Sequence, residues 1–180
     1  PEEGSLINTG SQTFTLTIRN FSAIHPRHTD AVTRALAEAD LAATAVGVAA
    51  LEQVAPLVAA GIVERFKDQD AAPLNVLLCE NLMDAEAYMR ARVSQRMPAA
   101  LRHLLEEKVG FVEASIGRMV PLLTAKERAE DPLLVSVEPY CELPVDAEGF
   151  KGPIPPLQHM KPCKPFKAYV ERKLFVHNMS

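Results

Sequence analysis

The last residues of the chain combine side-chain types that could carry out proton transfer. Lys173 and His177 lie four residues apart in "AYVERKLFVHNMS" (168–180), so a helix would place them on one face, and Asn178 follows five residues after the lysine. A lysine packed among Leu, Phe and Val side chains has its pKa lowered by desolvation and can serve as a general base near neutral pH. By spacing alone, an ordinary solvated charged face is the favoured interpretation.

Two other candidate positions follow predicted strands. Gly47 ends "TAVG", where a glycine lets the backbone approach a ligand closely, and a helix beginning at Val48 would offer N–H groups and a positive dipole end. Glu80 and Asn81 follow a buried strand, and an Asn side chain can orient a hydroxyl or a developing oxyanion. The plainer alternatives are a simple turn at Gly47 and, for Asn81, the N-cap of a helix starting at Met83.

The elements that position these residues alternate between strand and helix. Threonines alternating with apolar residues predict a half-buried strand over 12–18, and a second short strand is predicted over 19–26. The apolar run within 74–81 is typical of a central parallel strand covered on both faces. This order predicts an α/β fold with a parallel sheet, whose ligands sit at the carboxyl ends of the strands.

Caps and breakers set the predicted helix boundaries. Thr29 or Asp30 can cap the first helix, and Pro56 should kink or split the second one. A later helix is opened by Pro98 and should be closed by Gly110.

The composition changes towards the end of the chain. The segments 111–121 and 133–146 are strand-like, whereas the proline-rich segment 147–164 is predicted to be a linker or draped loop without regular structure. The last helix should begin near Pro165. Residues 165–180 are therefore interpreted as the entry to a second, mainly helical domain.

The overall composition excludes several classes of function. A net charge of -4 gives no electrostatic footprint for nucleic acid or an anionic membrane, and no apolar run approaches the roughly 20 residues of a membrane span. Three scattered cysteines and five histidines predict neither a disulfide framework nor a metal site. A reducing, cytoplasmic setting is expected. Glycine-rich phosphate-binding motifs are absent from the sequence.

Several stretches, taken together and in order, resemble a known family. They are "DLAATAVGVAALEQVAPLVAAGI", "LNVLLCENL", "VGFVEASIGRMVP", "DPLLVSVEPYCELPVD", "FKG" and "YVERKLFVHN". This series resembles the long-chain polyol (mannitol) dehydrogenase family from about Ser22 to the last residue. The resemblance implies an incomplete Rossmann-type doubly wound sheet that binds NAD over residues 1–146, the linker 147–164, and the first helix of the catalytic helical domain over 165–180.

The resemblance also implies an activity and roles for individual residues. The activity is a metal-free, NAD-dependent interconversion of mannitol 1-phosphate and fructose 6-phosphate. Lys173 would be the general base, while Asn178 and Asn81 would hold the reacting oxygen. The phosphate of the substrate needs cationic partners, and Lys151, Arg118 and Arg172 are the candidates.

The family pattern is incomplete in this sequence. The family places a histidine eight residues after the lysine, at position 181, so His177 stands at the wrong offset, and Gly117 replaces a usual aspartate. The glycine-rich loop would precede Pro1. We therefore expect an excised portion of an enzyme that is inactive by itself.

Other functions and properties stay open at this stage. The alternatives are an enzyme for free mannitol or a hexuronate, and a non-catalytic α/β interaction module. The preference for NAD over NADP and the oligomeric state are also open.

Overall fold

The computed structural model of the protein describes residues 4–8 and 15–167. The chain divides into two compact units. One unit holds Pro1–His25 and Gly117–Glu142, and the other holds Pro26–Ile116 and Leu143–Ser180.

Eight strands and five α-helices make up the regular structure of the described residues. The strands are β1 (Gly4–Asn8), β2 (Thr15–Ile18), β3 (Leu41–Thr44), β4 (Leu74–Leu78), β5 (Val109–Glu113), β6 (Val135–Val137), β7 (Leu143–Asp146) and β8 (Met160–Cys163). The helices are α1 (Thr29–Glu38), α2 (Val48–Arg65), α3 (Ala85–Arg96), α4 (Leu104–Glu107) and α5 (Ala125–Glu130), with a 3-10 turn at Ala99–Leu101.

The larger unit is built around a parallel three-stranded sheet in the order β3-β4-β5. All five residues of β4 are buried, so the prediction of a central strand from the apolar run "LNVLL" is confirmed. Helices α2 and α3 contribute Leu51, Ile62, Met89 and Val93 to the same fully buried core. The parallel sheet therefore has the α/β character predicted from the order of the elements.

Helix α2 is one continuous helix of 18 residues with Pro56 inside it, so the predicted split does not occur. The ring of Pro56 lies on the exposed side, while Leu51, Ala55 and Val58 on the opposite side are buried. Burial of this apolar side outweighs the one hydrogen bond that a proline removes from the helix.

Two boundaries in the larger unit differ from the predictions. Gly110 does not close a helix but lies inside β5, and its lack of a side chain is needed there because a Cβ would meet the carbonyl oxygen of Gly149 at 2.6 Å. The segment 147–164 is not wholly irregular, because Met160–Cys163 forms β8, parallel to β7. Both misses arise from contacts between residues far apart in sequence. The predicted domain boundaries at 146 and 164 stay predictions.

The start of the chain also departs from the predictions. Only Thr15–Ile18 of the segment 12–18 is described, as β2, and this strand is exposed throughout, so the expected half-burial is wrong there. Residues 19–26 form no strand. The N-cap of α1 is His28, one residue before the predicted Thr29.

The smaller unit contains a mixed sheet in the order β2-β1-β6, with β1 antiparallel to β2 and parallel to β6. Its helix α5 begins with a capping box, in which Thr124 and Glu127 bond each other's backbone N–H groups.

Candidate functional site

The carboxyl ends of the three parallel strands lie side by side. Thr44 pairs with Leu78, and Leu78 pairs with Glu113, so β3, β4 and β5 end at one edge of the sheet. This edge is the usual ligand-binding side of an open α/β sheet. The segments that follow β3 and β4 carry the predicted residues Gly47, Glu80 and Asn81.

The structure brings Gly47 and Glu80 into direct contact. The Glu80 carboxylate accepts hydrogen bonds from the backbone N–H groups of Val46, at 2.9 Å, and Gly47, at 2.8 Å. We call these two hydrogen bonds the Glu80 bridge. The bridge ties the loop between β3 and α2 to the end of β4. It also places a negative charge at the N-terminus of α2, where the helix dipole stabilises it.

The backbone at Gly47 leaves room for a ligand. Gly47 has a φ of 83°, a conformation that residues with a side chain rarely adopt. Among the described residues other than Gly47 and its two chain neighbours, no atom lies within 4 Å of the position that a Cβ would take. Val46 and Val48 on either side are 47% and 37% exposed. The loop therefore presents open backbone flanked by apolar side chains.

Asn81 lies in the bend between β4 and α3 and is exposed. Within the described part of the chain, its side chain has no hydrogen-bond partner. The plainer alternative, in which Asn81 is the N-cap of a helix starting at Met83, is wrong. Helix α3 starts at Ala85, and its N-cap is Asp84. The amide of Asn81 is thus available to a ligand at the strand edge.

A buried hydroxyl and a partly buried thiol border this edge. The hydroxyl of Thr44, at the end of β3, is buried and has no hydrogen-bond partner among the described residues. Burial raises the pKa of the Cys79 thiol, and the charge of the neighbouring Glu80 raises it further. Cys79 therefore remains a neutral thiol at neutral pH.

A cavity of about 310 Å³ lies between α3, β5 and the turn after β7. We call it the acidic cavity, because five acidic side chains and only two basic ones line it. Its charged lining residues are Asp84, Glu86, Arg90, Glu113, Asp146, Glu148 and Lys151. The surplus of carboxylates suits hydroxyl groups, which can donate hydrogen bonds to them, better than it suits an anion.

Arg90 is already engaged on one side of this cavity. Its guanidinium bonds the carboxylate of Glu86, donates to the carbonyl of Leu105 at 2.6 Å, and lies 5.4 Å from the centre of the Phe111 ring. The Glu113 carboxylate accepts from the backbone N–H of Glu86 at 3.3 Å. The side chains of Arg90 and Glu113, which both line the cavity, are thus held in place by contacts with α3 and β5.

Lys151 is placed at the cavity through its backbone. The buried Asn75 of β4 donates to the carbonyl of Lys151 at 3.0 Å and accepts from its N–H at 2.8 Å. Within the described residues, the Lys151 ammonium forms no ion pair. Of the two predicted phosphate-binding cations that the structure describes, Lys151 lines the acidic cavity.

Four predicted site residues remain, namely Arg118, Arg172, Lys173 and Asn178. Arg118 belongs to the smaller unit, where its Nε donates to the carbonyl of Glu138 at 3.0 Å. Arg172, Lys173 and Asn178 lie outside the described residues.

Sequence reasoning missed Glu113. Glu113 carries the same signal as Glu80 and Asn81, because it is a polar residue at the end of an apolar run. The segment 111–121 was instead predicted to be strand-like throughout, whereas β5 ends at Glu113.

The described residues hold neither a metal-binding cluster nor a membrane-spanning helix. No group of three or more His, Cys, Asp or Glu side chains there is arranged to hold a metal ion. None of the helices found there has the length and apolar character needed to span a membrane.

Comparison with known proteins adds a family and a structural neighbour. The family model described as the mannitol dehydrogenase Rossmann domain matches residues 5–159. The fold is similar to that of a Pseudomonas fluorescens mannitol 2-dehydrogenase in a ternary complex with NAD and D-mannitol, with a TM-score of 0.66 and 16% sequence identity. The match covers 80% of this chain and 38% of that enzyme, so this chain spans well under half of its length. At this identity the neighbour establishes the fold alone.

Proposed function

Since the chain belongs to the mannitol dehydrogenase family, we propose that it supplies the NAD-binding domain of a polyol dehydrogenase. The reaction we propose is the interconversion of mannitol 1-phosphate and fructose 6-phosphate. The observation that carries the proposal is the family match over residues 5–159, which includes the whole β3-β4-β5 sheet.

The residues at the strand edge fit one part of the cofactor. The open backbone at Gly47 admits a flat group, and Val46 and Val48 offer it apolar contact. The N–H groups of Val46 and Gly47 are already bonded to Glu80, so they do not bind the pyrophosphate. Gly47 and Val48 would therefore hold an uncharged part of NAD.

The proposed chemistry needs a base and a holder for the reacting oxygen. NAD, when bound, would supply the acceptor for the hydride that leaves the carbinol carbon. Lys173 takes the proton of the hydroxyl group on that carbon, and a carbonyl can therefore form without a metal. Asn81 and Asn178 donate hydrogen bonds to that oxygen as its charge changes. The amide of Asn81 is exposed and has no hydrogen-bond partner among the described residues, which supports this role.

The position of the substrate phosphate is a separate question. Lys151, Arg118 and Arg172 are the proposed cations, and Lys151 lines the acidic cavity. The carboxylates around that cavity repel phosphate and also the carboxylate of a hexuronate. This charge balance favours a second candidate, the oxidation of free mannitol, in which only hydroxyl groups enter the cavity.

An activity panel tests both candidates. Protein produced from the complete reading frame that encodes this chain is assayed for NADH formation with mannitol 1-phosphate, mannitol and a hexuronate. The first proposal predicts the highest kcat/KM for mannitol 1-phosphate, and a preference for mannitol supports the second. Lys173→Ala should lower kcat by about 10²–10⁴-fold, whereas Lys126→Ala, which removes an exposed lysine of α5, should not.

The remaining outcome favours a different class of function. If the protein binds neither NADH nor any of the three substrates, both dehydrogenase candidates are refuted. The non-catalytic interaction module would then be the better account.

A further inference from the structure

The Glu80 bridge links two segments at the ligand-binding edge through a single side chain. Both carboxylate oxygens of Glu80 are used, one for the N–H of Val46 and one for the N–H of Gly47. Hydrogen bonds from two backbone donors to a carboxylate are charge-assisted and therefore among the stronger ones in proteins. The loop between β3 and α2 is thus fixed from the end of the neighbouring strand.

Such a restraint matters at this loop because of Gly47. A glycine has more backbone freedom than any other residue, and its φ of 83° here is one of many accessible values. Without the bridge, the loop would sample conformations that close the space beside Gly47. A ligand would then have to order the loop as it binds, which lowers its affinity.

The bridge also determines which part of a cofactor can meet the loop. It uses two N–H groups that a phosphate would otherwise accept from, and it brings a negative charge that repels phosphate. The apolar Val46 and Val48 remain exposed. The loop is therefore suited to an uncharged ring and sugar.

The residue that follows Glu80 after β4 indicates which uncharged part of NAD meets the loop. Asn81 directly follows Glu80, and β4 is paired in parallel with β3. If Asn81 holds the reacting oxygen, the hydride acceptor must lie beside it, and the nicotinamide ring carries that acceptor atom. The adenosine half then lies further from Glu80.

We infer that Glu80 is a positioning residue, whose carboxylate holds the backbone at Gly47 open for the nicotinamide half of NAD. This inference rests on the proposed function. Glu80 acts through the loop and does not itself touch the reacting atoms.

The test measures amide exchange and cofactor binding in protein from the complete reading frame. Glu80→Gln keeps the size of the side chain but replaces one acceptor oxygen with a donor NH₂. We expect faster hydrogen exchange at the N–H groups of Val46 and Gly47, and a Kd for NADH raised by about tenfold or more. The Kd for ADP, which lacks the nicotinamide half, should stay unchanged.

Two further variants separate the bridge from general effects of mutation. Glu80→Ala removes a group that free acetate can replace, so acetate should restore slow exchange and NADH affinity. Glu64→Gln removes the same charge near the other end of α2, where Glu64 pairs with Lys67. This variant should change neither the exchange rates of Val46 and Gly47 nor the affinity for NADH. Rescue by acetate also shows that the Glu80→Ala protein is folded.

Each negative result has a defined meaning. If wild-type protein binds NADH and Glu80→Gln binds it equally well, the inference is refuted while the proposed function stands. An equal loss of ADP affinity would refute the assignment to the nicotinamide half. If wild-type protein does not bind NADH, the proposed function fails and the cofactor role of Glu80 fails with it.

Discussion

Replacing Gly110 with alanine should destabilise the larger unit strongly. Gly110 lies inside β5, and an added Cβ would meet the carbonyl oxygen of Gly149 at 2.6 Å, the N–H nitrogen of Lys151 at 3.1 Å and, closer still, the amide oxygen of Asn75. Two of these atoms belong to backbone that a small side-chain shift cannot move. The turn after β7 would have to lift away from the sheet.

The size of the effect follows from the contacts that would be lost. Overpacking in a core costs about 1–3 kcal/mol, and each buried polar group left without its partner costs about 1–3 kcal/mol more. Asn75 is buried, and its amide makes two hydrogen bonds to the backbone of Lys151. With overpacking and one polar group of Asn75 left without its partner, we expect the free energy of unfolding to fall by about 2–6 kcal/mol, from the roughly 5–15 kcal/mol of a typical domain.

Urea unfolding measures this loss. The sequence contains no tryptophan, so far-UV circular dichroism is the suitable signal. Asn75→Ala provides the matched background, because it removes the amide that the new Cβ would strike. Gly110→Ala should therefore cost at least about 1 kcal/mol less in the Asn75→Ala background than in the wild type.

Two results would contradict this reasoning. One is a cost below about 1 kcal/mol for Gly110→Ala, which is less than ordinary overpacking. The other is an equal cost in both backgrounds, which would mean that Gly110 and Asn75 do not oppose each other in the folded protein.

Three further predictions concern other parts of the chain. Burial and then the Glu80 charge raise the pKa of Cys79. The contribution of Cys79 to stability is therefore present below the pKa of an ordinary thiol and is lost as pH rises through the raised pKa of the folded protein. Alkylation rates measured against pH should show this raised pKa. The capping hydrogen bonds from Thr124 lower the pKa of Glu127, so the capping box weakens as pH falls through that lowered pKa. NMR titration of Thr124→Ala should show the pKa of Glu127 rising towards its normal value. Arg65 donates three hydrogen bonds to backbone carbonyls, two at the C-terminal end of α1 and one before β4, so Arg65→Met should lower the free energy of unfolding by about 2–4 kcal/mol in the urea assay.

The parts of the fold that were predictable depend on local signals. The apolar run of β4 needs burial on both faces, and it forms the central strand. Gly47 between a strand and a helix marks the loop at the sheet edge, and the structure places it there. In both cases neighbouring residues alone carry the information.

The parts that could not be predicted depend on contacts distant in sequence. Gly110 looked like a helix stop, but its role is set by Asn75 and by the turn around Gly149. The strand Met160–Cys163 exists because β7 offers it a partner. Pro56 is tolerated because the opposite side of α2 is buried. None of these partners is visible in a local pattern.

In the candidate site too, local patterns identify some residues, whereas contacts between distant residues could not be predicted. Gly47, Glu80 and Asn81 were found from their positions after strands, but the bridge from Glu80 to the loop needed the structure. The sequence does not single out Glu113, because the strand-like pattern of 111–121 continues past it, whereas β5 ends there. The roles of Lys173 and Asn178 stay predictions, since both lie outside the described residues.

The most direct test of the account is to map the NADH-induced shifts of the backbone amide signals by NMR, in protein from the complete reading frame. The account predicts the largest shifts at Gly47, Val48 and Asn81, where the loops after β3 and β4 meet the strand edge. Shifts concentrated instead at the opposite ends of these strands, near Leu41 and Leu74, would contradict it, as would the absence of any shift at saturating NADH.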